Sequence, residues 1–120
     1  MTLQQWAAGA DRVCARAQSR LATVEAPGSL ADVPGYVDAT TPIVEKELQQ
    51  LRALPQPDDD RVDDYLGKVD DTLKSAREVG AAAARVDEAE ARAKGGETQR
   101  LTREAAEVAR QLGARKCASQ

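Results

Sequence analysis

The chain of 120 residues has no histidine, no phenylalanine and no asparagine, and its only aromatic residues are Trp6, Tyr36 and Tyr65. Without histidine or clustered cysteines it has no ligand set for zinc or another transition metal. The Glu-x-x-His arrangement of di-iron helical bundles is excluded, and so is a Ser/His/Asp or Cys/His nucleophilic site. No glycine-rich loop of the phosphate-binding kind occurs. Ile43 is the single isoleucine, so the chain lacks the isoleucine and aromatic content that a half-buried β-sandwich would need. No apolar run is long enough to span a bilayer, and the first residues show no basic region followed by an apolar core. A leader for export or a membrane tether would therefore lie outside this sequence.

What is present is helical. Hydrophobic residues make up 42% of the chain, many of them alanine, so a core must be built from Leu, Val and Ala on closely packed helices. The length allows one domain, residues 1–120. The formal net charge of −3 argues against nucleic acid as a partner, since phosphate neutralisation needs a strongly basic surface. The charge is uneven. Residues 91–120 carry seven basic side chains (Arg92, Lys94, Arg100, Arg103, Arg110, Arg115, Lys116) against three acidic ones (Glu97, Glu104, Glu107), which suits a basic helix lying beside an acidic one in the same fold.

Four helices are predicted. Leu3, Trp6, Ala7, Ala10, Val13, Cys14, Ala17, Leu21 and Val24 recur at steps of three and four, with Thr2 as N-cap and Ala26-Pro27-Gly28 as the stop. A second helix starts between Ser29 and Pro34, buries Leu30, Val33, Val37, Thr40, Val44, Leu48, Leu51 and Leu54, and stops at Pro55-Gln56-Pro57. Pro42 removes one amide from it, so a kink near residues 38–42 is expected without a break. Asp58, Asp59 and Asp60 cap the third helix, whose stripe is Val62, Tyr65, Leu66, Val69, Leu73, Ala76, Val79 and Ala83. One break must follow, at residues 84–87 or at Gly95-Gly96; the preferred reading is a turn at Arg85-Val86-Asp87, with Asp87 as cap, into a fourth helix that crosses Gly95-Gly96 and ends at Gly113 after Leu101, Ala105, Val108 and Leu112. Short connections make these an antiparallel up-down-up-down four-helix bundle.

Cys14 falls inside the first apolar stripe, and Cys117 lies four residues beyond Gly113. In such a bundle the first and last helices are neighbours, and four extended residues reach about 13 Å. A disulfide between Cys14 and Cys117 is therefore expected, closing the bundle and pointing to an oxidising compartment. It would contribute about 4–5 kcal/mol in the chain-entropy model. Two reduced thiols, with Cys14 as a small core residue, are the alternative. A third reading is a reactive Cys117 thiol favoured by Arg115 and Lys116.

Asp59, Asp60 and Asp63 match the DDxxD spacing of magnesium-binding prenyl-diphosphate enzymes. The chain is too short for the large cavity and second acidic helix of that chemistry, so capping and a solvated face explain the cluster. No pair of carboxylates sits in an apolar stretch that would shift its pKa. No catalytic residue, cofactor or metal site is assigned, and the chain is read as a non-enzyme. Trp6 lies on the apolar stripe and is expected in the core, with an exposed anchor as the alternative.

Trp6 through Val13-Cys14, the LQQLRAL segment Leu48 to Leu54 before Pro55 and Pro57, and Ala109 through Leu112-Gly113 to Cys117 together resemble the small exported helical proteins and lipoproteins of high-GC actinobacteria. The resemblance implies two cysteines paired outside the cytoplasm. The expectation that follows is a non-enzymatic, extracytoplasmic interaction or structural domain of the cell envelope, bound to a protein or an envelope component through an exposed helical face. Two alternatives belong to other classes. One is a carrier of small apolar ligands with a cavity between helices, opened by Pro42, Gly67 and the alanine-rich stretch. The other is a cytosolic helical adaptor or dimerisation module.

Overall fold

A computed structural model describes all 120 residues. The chain folds into helices α1 (Leu3–Leu21), α2 (Val33–Ala53), α3 (Asp60–Ala84), α4 (Glu88–Gln111) and the one-turn α5 (Arg115–Ala118), with a 3-10 turn at Leu30–Asp32 leading into α2. The four long helices run antiparallel to their chain neighbours in an elongated bundle of 47 × 25 × 19 Å. The most extensive packing is α3 on α4, followed by α2 on α3 and α1 on α2.

The ends of the helices follow from local chemistry. Thr2 Oγ1 accepts the Gln5 amide at 3.1 Å while Gln5 Oε1 accepts the Thr2 amide at 3.0 Å, a reciprocal pair that satisfies two otherwise unpaired donors. The predicted stop for α1 is too late. The helix ends at Leu21, and Val24 lies beyond it. The Thr23 amide and hydroxyl both return to the Arg20 carbonyl, at 3.1 and 2.7 Å, and these tight turns unwind the helix well before Pro27. α2 is unbroken through the exposed Pro42, and Thr41 Oγ1 donates to the Val37 carbonyl at 2.8 Å one turn before the missing amide.

α3 and α4 end in the same way with different residues. At the end of α4, Gly113 takes φ 81° and the Ala114 amide reaches back to the Ala109 carbonyl at 2.9 Å. At the end of α3, Val86 takes φ 60° and the Asp87 amide reaches the Ala82 carbonyl at 3.0 Å. Both are Schellman closures, in which the residue after the cap must be left-handed. Glycine accepts that geometry freely, whereas a β-branched side chain is strained by it. Asp87 then caps α4 through Oδ1 on the Glu90 amide at 3.1 Å, and α4 passes through Gly95-Gly96 without interruption.

The main core lies at the end of the bundle that holds the start of α1 and the end of α4. It comprises Trp6, Ala10, Val13 and Cys14 of α1, Leu48 and Leu51 of α2, Val62 to Val69 of α3, and Ala105 to Leu112 with Ala114 and Cys117. Towards the other end the interior is thinner. α1 has 19 residues where α3 has 25, so at 1.5 Å per residue it falls short by about 9 Å. There α2 and α3 approach closely across Gly80, where an added Cβ would lie 2.9 Å from Val37 Cγ1. α1 meets α4 largely by way of α5, which packs against both.

The uneven charge is partly absorbed within the fold. Lys94 of α4 pairs with Glu78 of α3 at 2.7 Å, and Arg77 of α3 pairs with Glu45 of α2. Arg92, Arg100 and Arg110 pair with Glu88, Glu104 and Glu107 on α4 itself.

Candidate functional site

Cys14 and Cys117 form a disulfide with their Cα atoms 5.2 Å apart, and both residues are buried. Cys117 arrives on α5, not on an irregular tail, because the Gly113 turn redirects the chain into one more helical turn. α5 is held to α1 by more than sulfur. The Lys116 amide donates to Asp11 Oδ1 at 2.9 Å, and Gln18 Nε2 donates to the Lys116 carbonyl and to Ser119 Oγ. The Tyr65 hydroxyl sits 3.9 Å from Cys14 Sγ. Trp6 is fully buried and packs edge-to-face on Tyr65, with ring centroids 6.2 Å apart, so it is a core residue. Its indole N–H has no acceptor.

The acidic run at the start of α3 is engaged locally. Asp59 is the N-cap, accepting the Arg61 amide at 3.0 Å and pairing with the Arg61 guanidinium at 2.7 Å. The Arg61 hydrogen bonds pull its carboxyl down to about 2. No three carboxylate or cysteine side chains converge where a metal ion would sit.

The feature with chemical character lies where the main core stops. A half-open cavity of about 290 Å³ is bordered by all four long helices, α5 and Gln120. Its buried walls include Thr40, Glu47, Tyr65, Val69, Ala105, Ala106 and Cys117, and the exposed Tyr36 and Gln120 stand at its mouth. The lining is predominantly apolar, and the space exists for two reasons. α1 contributes only Leu21 to this level, and the facing positions on α3 and α4 carry Ala76, Ala105 and Ala106. Pro42, Gly67 and the alanine-rich stretch of residues 80–96, expected to open a cavity, do not line it, and Pro42 and Gly67 are exposed. Helix-lining alanines and the short first helix open it instead.

Glu47 is the only charged side chain in the lining. It is 2% exposed, takes part in none of the ion pairs of the molecule, and accepts one hydrogen bond, from Gln120 Nε2 at 2.6 Å. Burial raises its carboxyl from 4.5 to about 7, against the smaller opposing effect of the Gln120 bond. Burial, with Glu47 and Asp11 nearby, also drives the Tyr65 hydroxyl well above its ordinary range.

The threonines that face the cavity have already committed their protons, which leaves Tyr36 and Tyr65 with the free hydroxyl protons of the lining. Thr40, Thr72, Thr98 and Thr102 each donate to the carbonyl four residues earlier, at 2.8 to 2.9 Å. Thr98 Oγ1 lies 2.7 Å from Ser75 Oγ, and since Thr98 spends its proton on Lys94, Ser75 is the donor there. The site therefore offers an apolar volume, one carboxylate and hydroxyl oxygens with free lone pairs, but few free donors.

Of the predicted site residues, the structure brings Cys14 and Cys117 together and makes Cys117 part of the cavity wall. Glu47 was missed. Its signal was one acidic residue three positions after Val44, inside the buried stripe of α2 formed by Thr40, Val44, Leu48 and Leu51. No protein-family model matches the chain, and comparisons with curated proteins and with solved structures give no match either.

Proposed function

We propose that the protein is a non-enzymatic, extracytoplasmic binding protein that takes a small, largely apolar ligand into the cavity between its helices. The observation that carries this reading is the 290 Å³ volume with an apolar lining, close to the lower end of the range of about 300–1,000 Å³ for small-molecule sites. At about 30 Å³ for each water-sized group, it holds roughly ten such groups. The disulfide supports an oxidising compartment, and the cell envelope is the proposed setting, in keeping with the resemblance to exported actinobacterial proteins.

Titration with the uncharged dye N-phenylnaphthylamine tests it. The wild-type protein should give saturable, single-site, blue-shifted emission, and Ala76→Phe, which fills the half-buried side of the cavity, should abolish it while the thermal unfolding transition persists. A linear, non-saturating signal from the wild type would remove the reading.

A second reading retains a protein or cell-envelope component as partner. It rests on Arg12, Arg16 and Arg20, which recur every four residues along α1, are exposed, and belong to no ion pair. Replacing all three by glutamine should eliminate salt-sensitive binding to an anionic cell-wall preparation; unchanged binding would dismiss this surface.

A further inference from the structure

We propose that the cavity ligand is a small lipophilic ammonium ion, a protonated amine with a hydrocarbon body, whose N–H groups replace the Gln120 carboxamide on the buried Glu47 carboxylate. The inference rests on the cavity reading above and adds the chemical class of the occupant.

Three observations lead to it. First, the sole charge in the lining is negative and buried, and no protein cation reaches it. A buried carboxylate with a single neutral partner is far from satisfied, because each of its two oxygens accepts up to two hydrogen bonds. Second, the four threonine hydroxyls of the lining act as acceptors, since their protons go to their own helix backbones, which leaves the Tyr36 and Tyr65 hydroxyls as the other side-chain O–H donors there. A ligand rich in acceptors, such as a carboxylate or a phosphate, would meet only the tyrosine hydroxyls and the Gln120 carboxamide as donors, and no opposite charge. A ligand bearing N–H donors on a positive nitrogen finds both acceptors and charge, and a charge-assisted hydrogen bond is roughly twice as strong as a neutral one.

Third, the Gln120 Nε2 amide already occupies the position at 2.6 Å from Glu47 Oε2 that such a donor would take. Gln120 is exposed and stands at the mouth, so its side chain can swing outward without disturbing the core. The hydrocarbon body then lies against Val44, Val69, Ala105 and Ala106, with the Tyr36 and Tyr65 rings in the same lining.

The protonation state of the site follows. The ordinary carboxyl value of 4.5 rises to about 7 by burial, so an incoming ammonium ion displaces the carboxyl proton, and affinity for it grows as pH rises through 7. The other titratable groups of the lining are Tyr36 on its own helix and Tyr65 from α3, and Asp11 of α1 acts on Tyr65. α4 and α5 bring only Thr98, Thr102, Ala105, Ala106 and the disulfide-bonded Cys117.

Isothermal titration of the whole chain with n-octylammonium, n-octanol and n-octanoate, in which one hydrocarbon body carries three head groups, tests the proposal. At about pH 8, where Glu47 is largely ionised, the amine should bind tighter than the alcohol by roughly tenfold or more, and octanoate should bind weakest. Glu47→Gln should erase the preference for the amine while octanol binding persists, which also reports that the variant is folded. Gln120→Ala should strengthen amine binding. Equal binding of amine and alcohol, or a preference that survives Glu47→Gln, overturns the ammonium assignment and leaves the apolar cavity standing. Failure of all three compounds to bind overturns both.

Discussion

Replacing Glu47 by glutamine should convert a stability that falls with pH into one that is nearly flat. The carboxyl titrates at 4.5 in the unfolded chain and at about 7 in the folded one, so between those values the native state holds a proton that the unfolded state has released. Stability must then decline as pH rises through this window. Below 4.5 both states are protonated and Glu47 imposes no charge penalty. Well above 7 both are ionised, and the folded state carries a buried carboxylate. At about 1.4 kcal/mol for each pH unit, the interval amounts to about 3 kcal/mol. For a domain of this size that is on the order of 10 °C in Tm.

The assay is urea denaturation of wild type and Glu47→Gln, both oxidised, at a series of pH values from about 4.5 to 9. The two should be nearly equally stable at the acid end and should diverge until the variant leads by about 3 kcal/mol at the alkaline end. Glutamine keeps the shape and can still accept from Gln120, so packing changes little. Curves that stay parallel across the series, or a wild type that gains on the variant as pH rises, would refute the burial of an isolated carboxylate. The difference between the two proteins isolates Glu47 from the many exposed acids, whose contributions cancel.

Val86→Gly should raise stability by about 0.5–1 kcal/mol, since relief of a left-handed β-branched residue exceeds the entropy cost of glycine; the Tm reads it, and a lower Tm would contradict the strain. Replacing Cys14 and Cys117 together by alanine should lower the unfolding free energy by about 4–5 kcal/mol in the chain-entropy model, seen as a denaturant midpoint that matches the reduced wild type. Gly80→Ala should destabilise because its Cβ would lie 2.9 Å from Val37, and Val37→Ala should restore much of the loss in a double-mutant cycle. Gly67→Ala, with nothing within 4 Å of the new atom, should instead gain about 1 kcal/mol from helix propensity.

Where a residue acts through its own few neighbours, the sequence was a sufficient guide. Thr2, Asp59, Asp87 and Gly113 cap or close helices with partners within five positions in the chain, and the apolar stripe placed Cys14 and Trp6 in the interior. The disulfide was expected from the topology of a bundle whose first and last helices are neighbours, although α5, not direct packing of α1 on α4, brings Cys117 to Cys14. Local reading failed where a competing local bond decided the outcome, as with Thr23, whose return to Arg20 ends α1 early. The turn at Arg85-Val86-Asp87 falls where the sequence placed it, but its left-handed form was not legible, because a valine gives no sign of the geometry that Gly113 announces.

The cavity lay further out of reach. Many of the residues that line it are ordinary helical alanines and threonines in the sequence, and the volume exists only through the relative lengths and spacing of five helices. Glu47 is intermediate. An acidic residue at a buried register position is visible on a helical wheel, yet flanking Lys46 and Glu45 make the segment read as a solvated face. Its partner, Gln120, is 73 positions away, and no local pattern connects them.

The bond between Cys14 and Cys117 also fixes how the molecule would carry a load. Tension applied between the two ends of the sequence would run along the first thirteen residues, cross one sulfur–sulfur bond and leave through the last three. α2, α3 and α4 lie outside that path, inside a closed covalent ring. A molecule held at one end and pulled at the other would give up the start of α1, with Trp6, Ala10 and Val13, from the core first, but the three helices inside the ring could not be drawn out until a covalent bond broke.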